Sequence, residues 1–172
     1  MTALTANESR ARVRPAEHRD AEAMLAIYNH EVLTSTVTFD VVPRTIDEQH
    51  TWIEEHAGGH PAIVAVSDDD TAIAFASLSR FRTRPAYAPT VENSVYVHGD
   101  WRGQGVGRIL LAELIRLAEI HGFHSVIARI VGGHDASIAI HRDCGFEHVG
   151  VEREVGRKLN QWLDVVVMQR LL

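Results

Sequence analysis

The sequence predicts a mixed α/β domain, and three observations carry that prediction. The chain has 172 residues, 45% hydrophobic and 23% charged, ordinary proportions for one compact core. Short β-branched runs alternate along it with amphipathic helical stretches instead of being grouped at one end. No apolar run approaches the ~18 residues that a spanning helix needs; the longest, such as Val165 to Met168, are strand-sized.

Residues 1–11 read as a flexible leader, because MTALTANESRARVR has no apolar core of signal-peptide length and carries Glu8. A cytoplasmic location follows, with residues 12–172 as a single domain free of repeats, low-complexity tracts and linkers. Val13 to Pro15 makes a short first strand. Asp20 to Leu33 is a helix with Ala23, Ile27 and Tyr28 near one face. Thr45-Ile46-Asp47-Glu48 matches a capping box, in which the Thr hydroxyl takes an orphan N–H and the Glu reaches back, so a second helix runs to about Ala57 and stops at Gly58-Gly59. Ala62 to Val66 and Thr71 to Leu78 form a hairpin around Ser67-Asp68-Asp69-Asp70. Arg80 to Pro89 has a loop composition, and Glu92 to His98 is a strand centred on Val95-Tyr96-Val97. Val106, Ile109, Leu110, Leu114, Leu117 and Ala118 recur three and four apart, which makes Val106 to His121 the clearest helix, ended by Gly122. Ser125 to Val131 is a strand and Asp135 to Cys144 a short helix ended by Gly145. Phe146 to Val155 and Trp162 to Leu171 complete the chain as strands.

Charge and cysteine content remove several function classes. A formal charge of -6 disfavours a sequence-independent nucleic-acid binder, so any anion site must be local. The single cysteine, Cys144, excludes an intrachain disulfide and a paired-Cys metal site. His56-x3-His60 and His121-x2-His124 have ligand-like spacing, but both pairs fall at helix ends, where exposed imidazolium is favoured, and no acid or Cys completes a set. No metal is expected.

The segment Val95-Tyr96-Val97-His98-Gly99-Asp100-Trp101-Arg102-Gly103-Gln104-Gly105-Val106-Gly107-Arg108 passes from strand through a glycine-rich turn into the strongest helix. Glycines let successive N–H groups point into one concavity, and the helix start adds partial positive charge, so a pyrophosphate fits there with Arg102 and Arg108 nearby. The same glycines also serve a tight strand-to-helix turn with no ligand. There is no Gly-Lys-Ser/Thr ending for a P-loop, and the spacing misses the third glycine of a dinucleotide fingerprint.

Arg102-x-x-Gly105-x-Gly107, between strand and helix, resembles the acetyl-CoA pyrophosphate motif of the GNAT N-acetyltransferases, and the element order over about residues 12–171 agrees with that fold. Thr34-Ser35-Thr36-Val37-Thr38-Phe39, Glu92-Asn93-Ser94-Val95-Tyr96-Val97, Ser137-Ile138-Ala139-Ile140-His141 and Trp162-Leu163-Asp164-Val165 are similar, in this order, to the phosphinothricin N-acetyltransferase subfamily and its methionine sulfone and sulfoximine relatives. The resemblance implies a mostly antiparallel central sheet, flanked by helices and splayed where acetyl-CoA enters between the Val95 and Val126 strands. The pantetheine arm then pairs with backbone groups of Val95, Tyr96 and Val97, and Arg102, Gly103, Gln104, Gly105, Val106, Gly107 and Arg108 hold the pyrophosphate. A homodimer is also implied.

Acyl transfer to an amine needs a neutral nitrogen, yet α-amino groups stay largely protonated until pH passes ~8. Glu92 matches the family's general base. His141, on the helix where many relatives have Tyr, matches the acid that assists the departing thiolate, as in phosphinothricin-type members. Arg82 and Arg84, with forks suited to a carboxylate, join Tyr87 and an apolar wall from Phe39 as the expected acceptor pocket; Arg80 stays on the surface. Relatives carry Asn where this chain reads Gly132-Gly133-His134-Asp135-Ala136, so His134, with Ser137 beside it, is expected at the cofactor, and a shifted acceptor range is expected from the exchange. Gly99 replaces a usual Pro, and Cys144 stands where the family has a packing residue. The expected activity is acetyl transfer to the α-amino group of an amino-acid-like acceptor. Another amine, such as a protein N-terminus or polyamine, or a non-catalytic acetyl-CoA sensor, stays open as an alternative.

Overall fold

The computed structural model describes residues 11–172, so the expected leader lies almost wholly outside the described residues. The elements in chain order are β1 Arg12–Pro15, α1 Ala21–Thr34, α2 Ile46–Glu55, β2 Ala62–Val66, β3 Ala72–Arg80, β4 Thr90–Val97, α3 Val106–Ile120, β5 Ser125–Val131, α4 Asp135–Asp143, β6 Glu147–Lys158 and β7 Gln161–Leu171. The strands form one seven-stranded sheet in the order β1-β2-β3-β4-β5-β7-β6. Only β4 and β5 run parallel, and α3 supplies the long crossover that a parallel pair needs. Among the described residues no helix is long and apolar enough to cross a membrane.

Helices cover both faces of the sheet, which is why β2 is buried at every position and β3 at all but its last two. On one face α3 lays Leu110, Leu111 and Leu114 against Ala74, Ala76, Leu78 and Val91. On the other, Met24, Ile27 and Tyr28 of α1 and Ile53 of α2 pack on Val64, Val66 and Phe75. Burying a side chain of this size contributes about 1.5–3 kcal/mol. The capping box at Thr45 forms as expected: Glu48 N–H donates to Thr45 Oγ1 at 3.3 Å and Thr45 N–H donates to Glu48 Oε2 at 2.7 Å.

Three of the boundary differences from the sequence expectation bear on the sheet. β3 runs on to Arg80, and the Arg80–Pro89 loop contains a 3-10 turn at Pro85–Tyr87. β4 starts two residues early, at Thr90, where it pairs with Ser125. β6 continues past Val155 to Lys158, because the register shift between Glu152 and Gly156 absorbs the intervening residues. The hairpin then closes through Leu159 and Asn160, at φ 49° and 60°; Asn tolerates this left-handed turn region but Leu does not usually enter it, so the run carried no turn signature.

Candidate active site

The register of the two parallel strands creates the opening. Thr90, Val91 and Glu92 pair with Ser125, Val126 and Ile127, and there the pairing stops. Asn93 to Val97 continue along β3 alone, and Ala128 to Val131 along β7 alone. The two strands therefore diverge from Glu92 onward, and each leaves an edge of backbone groups on a wedge-shaped gap.

The wedge runs toward the start of α3. Gly103 and Gly105 adopt φ of 73° and 82°, and a Cβ at either would meet nothing within 4 Å, so backbone conformation alone requires glycine there. The main-chain N–H groups of Gly103, Gln104, Gly105, Val106 and Gly107 donate to no acceptor among the described residues, and the first hydrogen bonds of α3 begin at Arg108 and Ile109, both to Gly105 O. Successive N–H groups in alternating handedness at a helix start form an anion-binding concavity. Such a concavity offers an anion main-chain donors without needing a side chain.

Glu92 sits at the apex of the wedge, half-buried. Burial raises its carboxyl above the ordinary carboxylate range; Arg129 opposes that shift and Glu152 adds to it. Arg129 and Glu152 form an ion pair with each other. The sheet register puts Glu92, Arg129 and Glu152 on one face, the face that carries α1 and α2. A carboxylate made more basic in this way is suited to take a proton near neutral pH.

His141 is 5% exposed and has both nitrogens engaged. Nδ1 lies 2.8 Å from Ser137 O, so it carries the proton, and Nε2 accepts from Asn93 Nδ2 at 2.9 Å. Burial lowers the imidazole below its ordinary value, with the Ser137 bond opposing. The expected direct acid is thus a neutral imidazole with no uncommitted proton, held by its own helix and by β4. Asn93 Oδ1 is buried with no partner among the described residues. Asn93 follows Glu92 on β4, so strand alternation turns it to the opposite face of the sheet.

The other expected residues have partners and positions of their own. Arg102 donates through Nε to Val97 O at 3.1 Å and forms an ion pair with buried Glu31, which commits Nε and Nη2 of a side chain that is 54% exposed. His134 turns to Thr36, Nε2 to Oγ1 at 3.2 Å, and bridges the start of α4 to the exit of α1. Arg82, Arg84 and Tyr87 do come together, with Thr83, around an open cavity of about 480 Å³. The Arg82 guanidinium lies 4.9 Å from the Phe81 ring centre and 5.3 Å from that of Tyr87. Among the described residues neither Arg82 nor Arg84 has an acidic partner, which leaves both cations for an anion. Phe39 is apart from that cavity: its ring edge lies over Gly156, where an added Cβ would come within 2.5 Å of Cε2. Ser137 contributes its carbonyl to His141, and Arg108 is exposed beside the cradle.

Lys158 was invisible to sequence reasoning. The residue is 6% exposed, and its Nζ donates to Thr38 O at 2.8 Å and more weakly to Glu31 O at 3.4 Å. It thereby ties the β6–β7 hairpin to the segment that carries Phe39. The histidine pairs are also corrected in part. His56 is half-buried and bonded to Trp52 O and Ser79 Oγ, and burial lowers its pKa, so it is not an exposed imidazolium. Among the described residues no cluster of three or more His, Cys, Asp or Glu is arranged to hold a metal. Burial also pushes the Cys144 thiol up, which disfavours a nucleophilic thiolate.

Comparison with known proteins adds to this geometry. The acetyltransferase (GNAT) domain family matches residues 13–167. The chain is 38% identical to an L-methionine sulfoximine/L-methionine sulfone acetyltransferase of Pseudomonas aeruginosa, over 92% of this chain and 93% of that protein. It superposes with TM-score 0.92 on a phosphinothricin acetyltransferase from Sinorhizobium meliloti in complex with AcCoA, at 36% identity over 95% of this chain and 89% of that one. A ribosomal-protein-alanine N-acetyltransferase from Brucella melitensis is as near, with TM-score 0.91 and 38% identity over 94% and 99%.

Proposed function

The chain belongs to the GNAT acetyltransferase family and is an acetyl-CoA-dependent N-acetyltransferase, and from that premise we propose that its acceptor is a small amino acid of the phosphinothricin, methionine sulfone or methionine sulfoximine type, with Glu92 as general base. The observation that carries the reading is the divergence of β4 from β5 at Glu92, which sets a basic carboxylate beside a gap that ends in uncommitted amides. Acetyl-CoA supplies an acyl group activated as a thioester. The amides of Gly103 to Gly107 hold its diphosphate, and the free backbone edge of Val95 and Tyr96 lines the path between cradle and apex. Glu92 removes the proton from the acceptor's ammonium, which frees the lone pair for direct attack. Arg82 and Arg84 offer the acceptor carboxylate bidentate hydrogen bonds.

His141 enters this scheme as a neutral group that orients the Asn93 amide at the wedge, its Nε2 accepting from Asn93 and its Nδ1 donating to Ser137. The homodimer implied by the family resemblance is supported by an apolar outer surface on the β6–β7 hairpin, where Val149, Val151, Val155, Leu159 and Trp162 are each 47% exposed or more.

A second reading, acetylation of a protein N-terminus, is favoured by the likeness to the ribosomal-protein-alanine enzyme. A panel of amines with acetyl-CoA, read as free thiol, separates the two. Release with methionine sulfone, methionine sulfoximine or phosphinothricin supports the first; release only with Ala-initiated peptides overturns it. The cationic loop at Arg82 and Arg84 argues against polyamines, which carry the same sign of charge.

A further inference from the structure

We propose that Arg102 is a positioning residue that acts through Glu31 and not on the diphosphate: the pair clasps the entry of the amide cradle to the helix that leads into Phe39, the apolar side of the expected acceptor site, which lies apart from the Arg82 cavity. The proposal rests on the reading of residues 103–107 as the coenzyme cradle.

Glu31 stands in the last turn of α1, with its side chain 4% exposed. Its carboxylate receives Arg102 Nη2 and the Ser35 hydroxyl, the latter at 2.6 Å, and its carbonyl oxygen receives Ser35 N–H at 3.1 Å and Lys158 Nζ at 3.4 Å. Three structures meet at this one residue: the cradle through Arg102, the α1 exit through Ser35, and the β6–β7 hairpin through Lys158. Arg102 meanwhile holds Val97 O with its Nε, at the end of the strand that borders the wedge.

A swing of the guanidinium onto a phosphate would leave a buried carboxylate without its ion pair and a strand-end carbonyl without its donor. Both losses are unfavourable. The amides of Gly103 to Gly107 need no such help to hold an anion. Arg102 therefore stays with Glu31 when the cradle fills, and the geometry of the cradle is linked to Thr36, Thr38 and Phe39, which follow the clasp by a few residues. Arg suits this task better than Lys because one planar fork reaches both Val97 O and the carboxylate.

The test compares wild type, Arg102→Ala, Arg102→Lys, Glu31→Gln and the Arg102→Ala/Glu31→Gln double variant. Calorimetry reads CoA affinity directly and acetyl-pantetheine affinity by competition. Turnover with whichever acceptor the panel selects reads acceptor KM against kcat. A clasp predicts that Arg102→Ala and Glu31→Gln weaken CoA by one common factor, to within about twofold of each other, and leave acetyl-pantetheine, which has no diphosphate to place in the cradle, close to wild type. It predicts an acceptor KM raised several-fold with a smaller change in kcat, and a double variant no worse than either single one. Arg102→Lys, which keeps the charge but not the fork, is predicted to raise acceptor KM as Arg102→Ala does. A tenfold or larger selective loss of CoA over acetyl-pantetheine in Arg102→Ala, with Glu31→Gln unchanged, would overturn the proposal and make Arg102 a phosphate ligand. Wild-type acceptor KM in Arg102→Lys would overturn it too. Failure of the wild-type protein to bind CoA is a different result, which removes the cradle reading itself and the proposal with it.

Discussion

Replacing Lys158 with Met keeps most of the buried stem and removes only the ammonium. Its bond to Thr38 O, at 2.8 Å, is charge-assisted, and such bonds contribute about 1.5–3 kcal/mol net. The longer one to Glu31 O, at 3.4 Å, adds little. Methionine supplies no donor, so the Thr38 carbonyl is left facing an apolar side chain, and the expected loss is about 2–3 kcal/mol. For a chain of this length a loss of 1 kcal/mol lowers Tm by about 2–4 °C, so the variant should melt about 4–12 °C below wild type. Urea denaturation with an unchanged m-value measures the same quantity as a lower midpoint. The functional signature is separate: the Thr38–Phe39 segment loses its tie to the hairpin, so acceptor KM rises while CoA affinity holds. A stability loss under about 0.5 kcal/mol, the range of ordinary surface substitutions, would refute the reasoning and show that the Lys158 contacts are incidental.

Glu92→Gln should lower kcat/KM by about 10²–10⁴ at neutral pH with CoA affinity unchanged by calorimetry. In wild type the rate should climb with pH as Glu92 ionises, with that limb above the ordinary carboxylate range because burial raises its pKa; in the variant the limb vanishes and the deficit narrows as the free amine deprotonates unaided. Gly105→Ala meets no atom within 4 Å but forces Ala to φ 82°, so it should cost about 1–2 kcal/mol of stability through the backbone alone and weaken CoA; Gly99→Ala, also unobstructed and without a positive φ, is the matched control with no effect on the urea midpoint. The folded-state pKa of His141 lies below its unfolded value, so its contribution is complete above about pH 6.5 and is lost as pH falls from there through the lowered value. Urea midpoints at pH 7.5 and 5.5 should therefore drop on acidification, and the drop should shrink in His141→Gln; equal slopes would show an imidazole that titrates freely.

Most of the fold could be read from local pattern. The α3 stripe from Val106 to Ala118, the Thr45 capping box and the Ser67–Asp70 turn each have a short-range cause, and each is where it was expected. The β6 extension was hidden because its hairpin turn uses Leu159 and Asn160 instead of Gly, and because a bulge of three residues breaks the alternation that marks a strand. At the site, the glycine cradle and Glu92 were legible because backbone conformation and a strand-end carboxylate leave a mark in the letters. What could not be read was pairing across distance. Glu31, Lys158, Arg129 and Glu152 look like surface charges one at a time, and only the fold shows Glu31 beneath Arg102 and Lys158 beneath the α1 exit. His141 and His134 stand out in the sequence as candidates, but an imidazole's role depends on which groups occupy its two nitrogens. Asn93 and Ser137 O occupy those of His141, and Thr36 takes one from His134.

The account depends on one physical arrangement, a gap between β4 and β5 that leads into a row of free main-chain amides. Amide chemical shifts followed by NMR while acetyl-CoA is titrated into the protein test it most directly. The largest changes should fall on Gly103, Gln104, Gly105, Val106 and Gly107, with a second set on Val95 to Val97 and little at Arg82 and Arg84 until an acceptor is added. Saturable shifts confined to another surface, with residues 103–107 unmoved, would contradict the account.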